Sequence, residues 1–199
     1  MNRNIKTAAK LAALAGAFAL TGCAFVPDTV HPQYIPQANV QKIPGADKVA
    51  VDVVVKNEKK HHNEISVTLD GYGIPMAGVY MHVAKDFKTA IDKALQARGF
   101  KTGPNGNVTV DVVVKKFFLP EQTHLTSETH SGTSIIGLNI ANKMTGKTFY
   151  IMVKTKGFHS SVSGWNIDSA GRSTAANGLL SETVDKIVNN KAFQSALMQ

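Results

Sequence analysis

From Lys48 to Lys56 the chain reads KVAVDVVVK, and its apolar positions alternate. Val49, Val51, Val53 and Val55 share one face, while Ala50, Asp52 and Val54 share the other. Period-2 patterning in β-branched residues predicts a half-buried strand. Ile65, Val67 and Leu69 repeat the alternation beyond a charged turn, NEKKHHN over 57–63, and Gly71, Gly73 and Pro75 break it. The period then lengthens to that of a helix over 84–98, AKDFKTAIDKALQAR. Phe87, Ile91, Ala94 and Leu95 form its apolar stripe, and Lys88, Asp92 and Lys93 face outward. Gly99 follows where a left-handed residue closes a helix.

GPNG at 103–106 is a tight turn with Pro at its first central position, and it launches a strand, NVTVDVVVKKFFL. Val108-x-Val110-Asp111-Val112-Val113-Val114-Lys115 repeats the pattern of Val49 to Lys56. The two read as central strands drawn from one small vocabulary rather than as a duplicated unit. Residues 133–141 and 148–156 alternate again, joined by a hairpin turn, NKMTG. Ala176, Leu180, Val184, Ile187 and Val188 then fall near helical spacing over 173–188, and a short helical tail covers 191–198. The order β-β-α-β-β-β-α predicts an α+β fold. Its economical packing is a mainly antiparallel sheet of about five strands with two helices on one face, a two-layer sandwich.

The first 46 residues lack this patterning. Asn2 to Lys6, with Lys10, is cationic and free of acids, and LAALAGAFAL at 11–20 is apolar and uncharged. Thr21 and Gly22 lead into Cys23, the single cysteine. A basic start, an apolar stretch of roughly ten residues and small residues before a cleavage point describe a secretory signal peptide. The stretch is half the ~20 residues that a membrane span requires. Leu20-Thr21-Gly22-Cys23 resembles the lipobox of bacterial lipoproteins. That resemblance implies cleavage between Gly22 and Cys23, with acyl groups such as palmitate placed on Cys23 and its new amino terminus. Residues 1–22 are thus expected as signal peptide, 23–46 as a lipidated Cys with a Pro-rich tether, and 47–199 as a single periplasmic domain. Pro27, Pro32, Pro36 and Pro44 give the tether polyproline character. A strand packed on the domain over Val30 to Ile35 is the alternative.

Composition narrows the class. Hydrophobic content of 43% and charge of 18% are those of a globular chain. A domain of this length buries a core without disulfides. Removing the signal lowers Lys+Arg from 22 to 19 against 14 Asp+Glu, about +5. That charge favours anionic lipid head groups or cell-wall polymers and is too scattered for nucleic acid.

The stretch 85–114, running from the helix through Arg98-Gly99-Phe100 and GPNG into the valine strand, resembles the YajG family of bacterial lipoproteins. ANKMTGKTFY at 141–150 and the helix around Asn177-Gly178-Leu179-Leu180 with Thr183-Val184 extend the likeness. It implies location and fold, and supplies no catalytic residues.

Candidate chemistry is sparse. His61-His62 is the only adjacent histidine pair; His82, His124, His130 and His159 are dispersed. Neighbours on an extended turn point apart, which is poor geometry for the three or four ligands that zinc needs. Ser160-Ser161-x-Ser163-Gly164 lacks the nucleophile elbow. Glu64, Asp70, Glu121 and Glu128 lie in or beside turns without a recognisable pairing. GPNG leads into a strand, so it is a turn and not a phosphate loop. Trp165, in a polar stretch, reads as a hydrophobic plug or a contact residue. The expectation is therefore a non-enzymatic lipoprotein with no cofactor and no metal. It is membrane-anchored through Cys23, placed at the outer membrane because Ala24 rather than Asp follows the lipidated Cys, and it binds or supports an envelope protein or the cell wall. A cell-wall hydrolase and an auxiliary lipoprotein of an envelope transport system are the alternatives.

Overall fold

The computed structural model describes residues 26–69, 72–123, 127–163 and 169–199. The signal peptide, Gly22, Cys23, Ala24, Asp70, His124 and Trp165 lie outside them. The valine strands form as expected, β2 over Ala50–Asn57 and β6 over Val108–Phe118. They lie side by side and parallel, with Val53 opposite Val110 and Val55 opposite Val112. Parallel neighbours need a long crossover, and residues 58–107 supply it, including helix α1 at Val83–Ala97. The short β5, Lys101–Thr102, pairs with the outer edge of β2, also in parallel. On the other side β8, Ser127–Asn142, runs antiparallel to β6, and β9, Thr148–Ser163, antiparallel to β8. The three-residue β7, Glu121–Thr123, continues the edge of β8 beyond the end of β6.

The expected single, mainly antiparallel sheet of about five strands is corrected here. The large sheet has six strands and is mixed. A second sheet of three strands holds β1, Asp28–Thr29, β4, Pro75–Tyr80, and β3, Glu64–Leu69, in the order β1-β4-β3. The sequence reading ended β3 at Gly71 and gave nothing to β4. Pro is tolerated at the first position of a strand, and Ala77 and Val79 of β4 alternate inward behind it. α2 at Ser169–Val188 and α3 at Lys191–Leu197, the expected helical tail, join α1, so three helices rather than two pack among the described residues. Asn190 caps α3, its side chain accepting from the Ala192 and Phe193 amides. Helix α1 packs on β2 and α2, while α2 and α3 cover β8 and β9.

The core lies between these helices and the inner faces of β2, β6, β8 and β9. It contains Val51, Val53, Phe87, Ile91, Leu95, Val110, Val112, Ile136, Leu138, Leu180 and Phe193. Phe87 meets Phe117 edge to face at 5.3 Å. Gly99 adopts φ 96° beyond α1, as its position required. β8 and β9 outrun the expected strands because β9 absorbs a register shift. Gly157, at φ 74°, is the extra residue opposite Gly132 and Thr133, a conformation open to glycine.

The Pro-rich segment is not a free spacer over its described part. β1 pairs with β4, and the Val30 amide donates to Tyr80 O at 2.8 Å. Val30, Tyr34 and Ala46 are buried in the common core. The Tyr34 hydroxyl donates to Asp185 Oδ1 at 2.6 Å on α2. The prolines leave few backbone donors for a ladder, so side chains rather than strands make this attachment. The alternative is right that the segment packs on the domain, but the strand is Asp28–Thr29 and not Val30 to Ile35, and ordered packing begins near Asp28 rather than at residue 47.

Candidate functional site

β6 breaks phase near its end. Val108, Val110, Val112 and Val114 point inward, so unbroken alternation would bury Lys116 and expose Phe117. A bulge between Val114 and Lys116 shifts the register against β8, and Lys115 and Lys116 are both exposed while Phe117 and Leu119 turn in. The bulge leaves a groove of about 460 Å³ between β6, β8 and the 59–64 turn. That is the size of a small-ligand site. Phe117, Phe118 and Ile135 make an apolar floor, and Lys60, His61, Lys115 and Lys116 rim it. The lysine stems add apolar wall while their ammonium groups stay in water.

Lys59 also lines the groove but is committed to structure. It is buried, and its ammonium donates to His62 O at 2.8 Å and Glu64 O at 2.6 Å. Burial pulls its pKa down to about 8, against the favourable field of Glu64. Lys60, Lys115 and Lys116 have no ion-pair partner among the described residues, and Glu64 is the one carboxylate in the lining.

A second polar group lies inside the sheet. Glu128 and His130 are two apart on β8 and share its inward face, and Glu121 of β7 stands directly opposite His130. Glu128 Oε1 and His130 Nε2 approach to 3.0 Å with 2% side-chain exposure each. Arg172, from the first turn of α2, reaches Glu121 Oε2 with Nε at 3.4 Å and Asp28 at 3.9 Å. Burial first, then the neighbouring Glu128, pushes the Glu121 carboxyl up to about 8. His130 and Glu121 hold Glu128 below the usual carboxylate range against its burial. The sequence reading placed both acids in or beside turns, without a pairing. Glu121 opens β7 and Glu128 is the second residue of β8, so both lie beside turns, but the strands bring them together, and Glu-x-His in period 2 (128–130) was the signal available.

The other singled-out residues do not converge. His61 and His62 sit on the exposed turn, His82 precedes α1 with its ring 5.8 Å from His31, and His159 is exposed on β9. Ser160 and Ser161 lie along β9 rather than at a strand-to-helix turn. The GPNG turn is structural: Asn107 Oδ1 accepts from the Ala50 amide at 2.8 Å, tying it to β2. A polar pocket of about 470 Å³ lies where residues 37–44 meet Arg98 and Asn189. Arg98 is already engaged there by Ala94 O at 3.0 Å and Asn189 Oδ1 at 2.7 Å.

The described residues form a mixed α+β domain with a cation-rimmed apolar groove. No helix among the described residues is long and apolar enough to cross a membrane. The family model described as "Uncharacterized lipoprotein" (Lipoprotein_16) matches residues 36–198, and the chain belongs to that bacterial lipoprotein family. No curated protein matches. A crystal structure of a Xanthomonas campestris protein is similar with a TM-score of 0.50 at 11% identity, over 82% of this chain and 92% of that one. A minor lipoprotein from Acinetobacter baumannii gives 0.40 at 12% identity, over 70% of this chain and 88% of that one. A lipoprotein from Neisseria meningitidis gives 0.35 at 12% identity, over 71% and 99%. At such identities the first likeness speaks to fold alone.

Proposed function

We propose that this is an outer-membrane lipoprotein of the YajG kind, anchored by acyl groups on Cys23, whose periplasmic domain binds anionic amphiphiles of the envelope without catalysis. The observation that carries the reading is the groove, where an aromatic and aliphatic floor meets three unpaired lysines. An acyl chain covers the part-exposed Phe118 and Ile135 over the buried Phe117, and a phosphate or carboxylate head group meets Lys60, Lys115 and Lys116. A neutral ligand would leave that charge unused, and a fully polar one would leave the floor uncovered. Glu121, Glu128 and His130 are gathered in the interior, and the groove has the single carboxylate of Glu64, which supports binding over hydrolysis.

The test is titration with a fluorescent long-chain carboxylate and with vesicles of phosphatidylglycerol or of phosphatidylcholine. The protein is expected to bind the carboxylate probe and the anionic vesicles in preference to the neutral ones. Lys115→Glu/Lys116→Glu weakens both at least tenfold and leaves the melting temperature within the range of exposed substitutions, about 0.5 kcal/mol. Equal binding by that variant, or equal binding of neutral vesicles, overturns the reading. The anchor is tested separately: Cys23→Ser releases the protein from membranes after a salt wash, because two acyl chains hold where one is marginal.

A further inference from the structure

The Glu121–Glu128–His130 group shares no residue with the groove: it is buried, carries ionisable groups, and is incompletely satisfied. Glu128 Oε1 and His130 Nε2 have no hydrogen-bond partner among the described residues although both side chains are 98% buried or more, being 2% exposed. They face each other at ion-pair distance without the alignment of a hydrogen bond. Buried polar groups are nearly always partnered, and an exception calls for a cause. One ligand atom from each of the three residues lies within 4.8 Å of the others. Ligand atoms bound at about 2.0 Å on a tetrahedron stand roughly 3.3 Å apart, so small side-chain rotations close the gap. We propose that Glu121, Glu128 and His130 bind one divalent transition-metal ion of the zinc class, clamping β7 to β8 under the start of α2.

The donor set points to that class. Two carboxylates and an imidazole suit zinc and its neighbours, whereas calcium takes six to eight oxygens and magnesium keeps most of its water. Three protein ligands leave the fourth position to water. Charge agrees. Arg172 is shared between Glu121 and Asp28, so one guanidinium serves two carboxylates while Glu128 faces His130. Arg172 then acts from outside the coordination shell, fixing the Glu121 carboxylate. The strand register explains how the set assembles. Glu128 and His130 share the inward face, and β7 supplies its first residue opposite His130.

The experiment uses the full-length protein stripped with chelator and then titrated with Zn²⁺ by calorimetry in two buffers of different ionisation enthalpy. One ion per chain is expected, with proton release near pH 7, a raised melting temperature, and a Co²⁺ form whose visible absorption is tetrahedral. Glu128→Gln and His130→Ala weaken binding at least a hundredfold. His61→Ala/His62→Ala, on the exposed turn, leaves it intact. A cooperatively melting wild type that takes up no ion overturns the site, even if the core variants fail to fold. So does undiminished binding by His130→Ala, or loss of binding in His61→Ala/His62→Ala.

Discussion

Replacing Tyr34 tests whether the Pro-rich segment is part of the fold. Its ring is 3% exposed, and its hydroxyl bridges 151 residues to Asp185 on α2. Burial and then Asp185 raise the phenol above its ordinary range, so the proton stays on the hydroxyl at neutral pH. Tyr34→Phe removes one charge-assisted hydrogen bond and leaves the ring in place. Asp185 is partly exposed, and water replaces part of what is lost, so the cost is about 1–2 kcal/mol. Tyr34→Ala also removes the buried ring and opens a cavity, for about 3–5 kcal/mol. In a chain of this length each kcal/mol moves the midpoint by about 2–4 °C, so Tyr34→Ala lowers it by roughly 6–20 °C. Urea and thermal melts followed by circular dichroism read both variants. A free spacer predicts no effect from either. If both variants melt within about 0.5 kcal/mol of wild type, the range of ordinary surface changes, the docked segment is refuted and residues 28–46 return to being a tether.

Leu95→Ala, on the face of α1 that is fully buried, is expected to cost about 2–5 kcal/mol in the same melts; less than about 1 would mean that this face is misassigned. Gly106→Ala should destabilise by more than about 1 kcal/mol, since an added Cβ would stand 2.5 Å from Ala50 O and 2.7 Å from Asp52 N, both backbone. Lys59 supplies a pH test. Its folded pKa of about 8 lies below the ordinary lysine value of 10.5, so the unfolded chain holds the extra proton between those values, and stability rises with pH across that window. The slope is at most about 1.4 kcal/mol per pH unit. Lys59→Met should remove that rise relative to wild type, and parallel pH profiles for the two proteins would count against the buried ammonium.

Local regularity was legible in the sequence. The valine alternation, the α1 stripe, the stop at Gly99 and the hairpin turn at 142–146 each depend on neighbours a few residues apart, and those interactions hold wherever the segment sits. The lipobox resemblance around Cys23, outside the described residues, is likewise a reading of one linear segment and belongs to the proposal. The tertiary structure decided what depends on partners distant in the chain. Whether β2 and β6 run parallel rests on how 58–107 crosses between them, and identical valine alternation fits either direction. β4 became a strand because β1 and β3 were there to pair with it, overriding Pro75 and Gly78. The Pro-rich segment has no period of its own and is held by Tyr80 and Asp185, 50 and 151 residues beyond Val30 and Tyr34. The groove depends on one bulged residue, and a bulge is visible only against the opposing strand. Glu121, Glu128, His130 and Arg172 meet because two strands and a helix converge, and pairwise distance between segments is the quantity a single sequence does not contain.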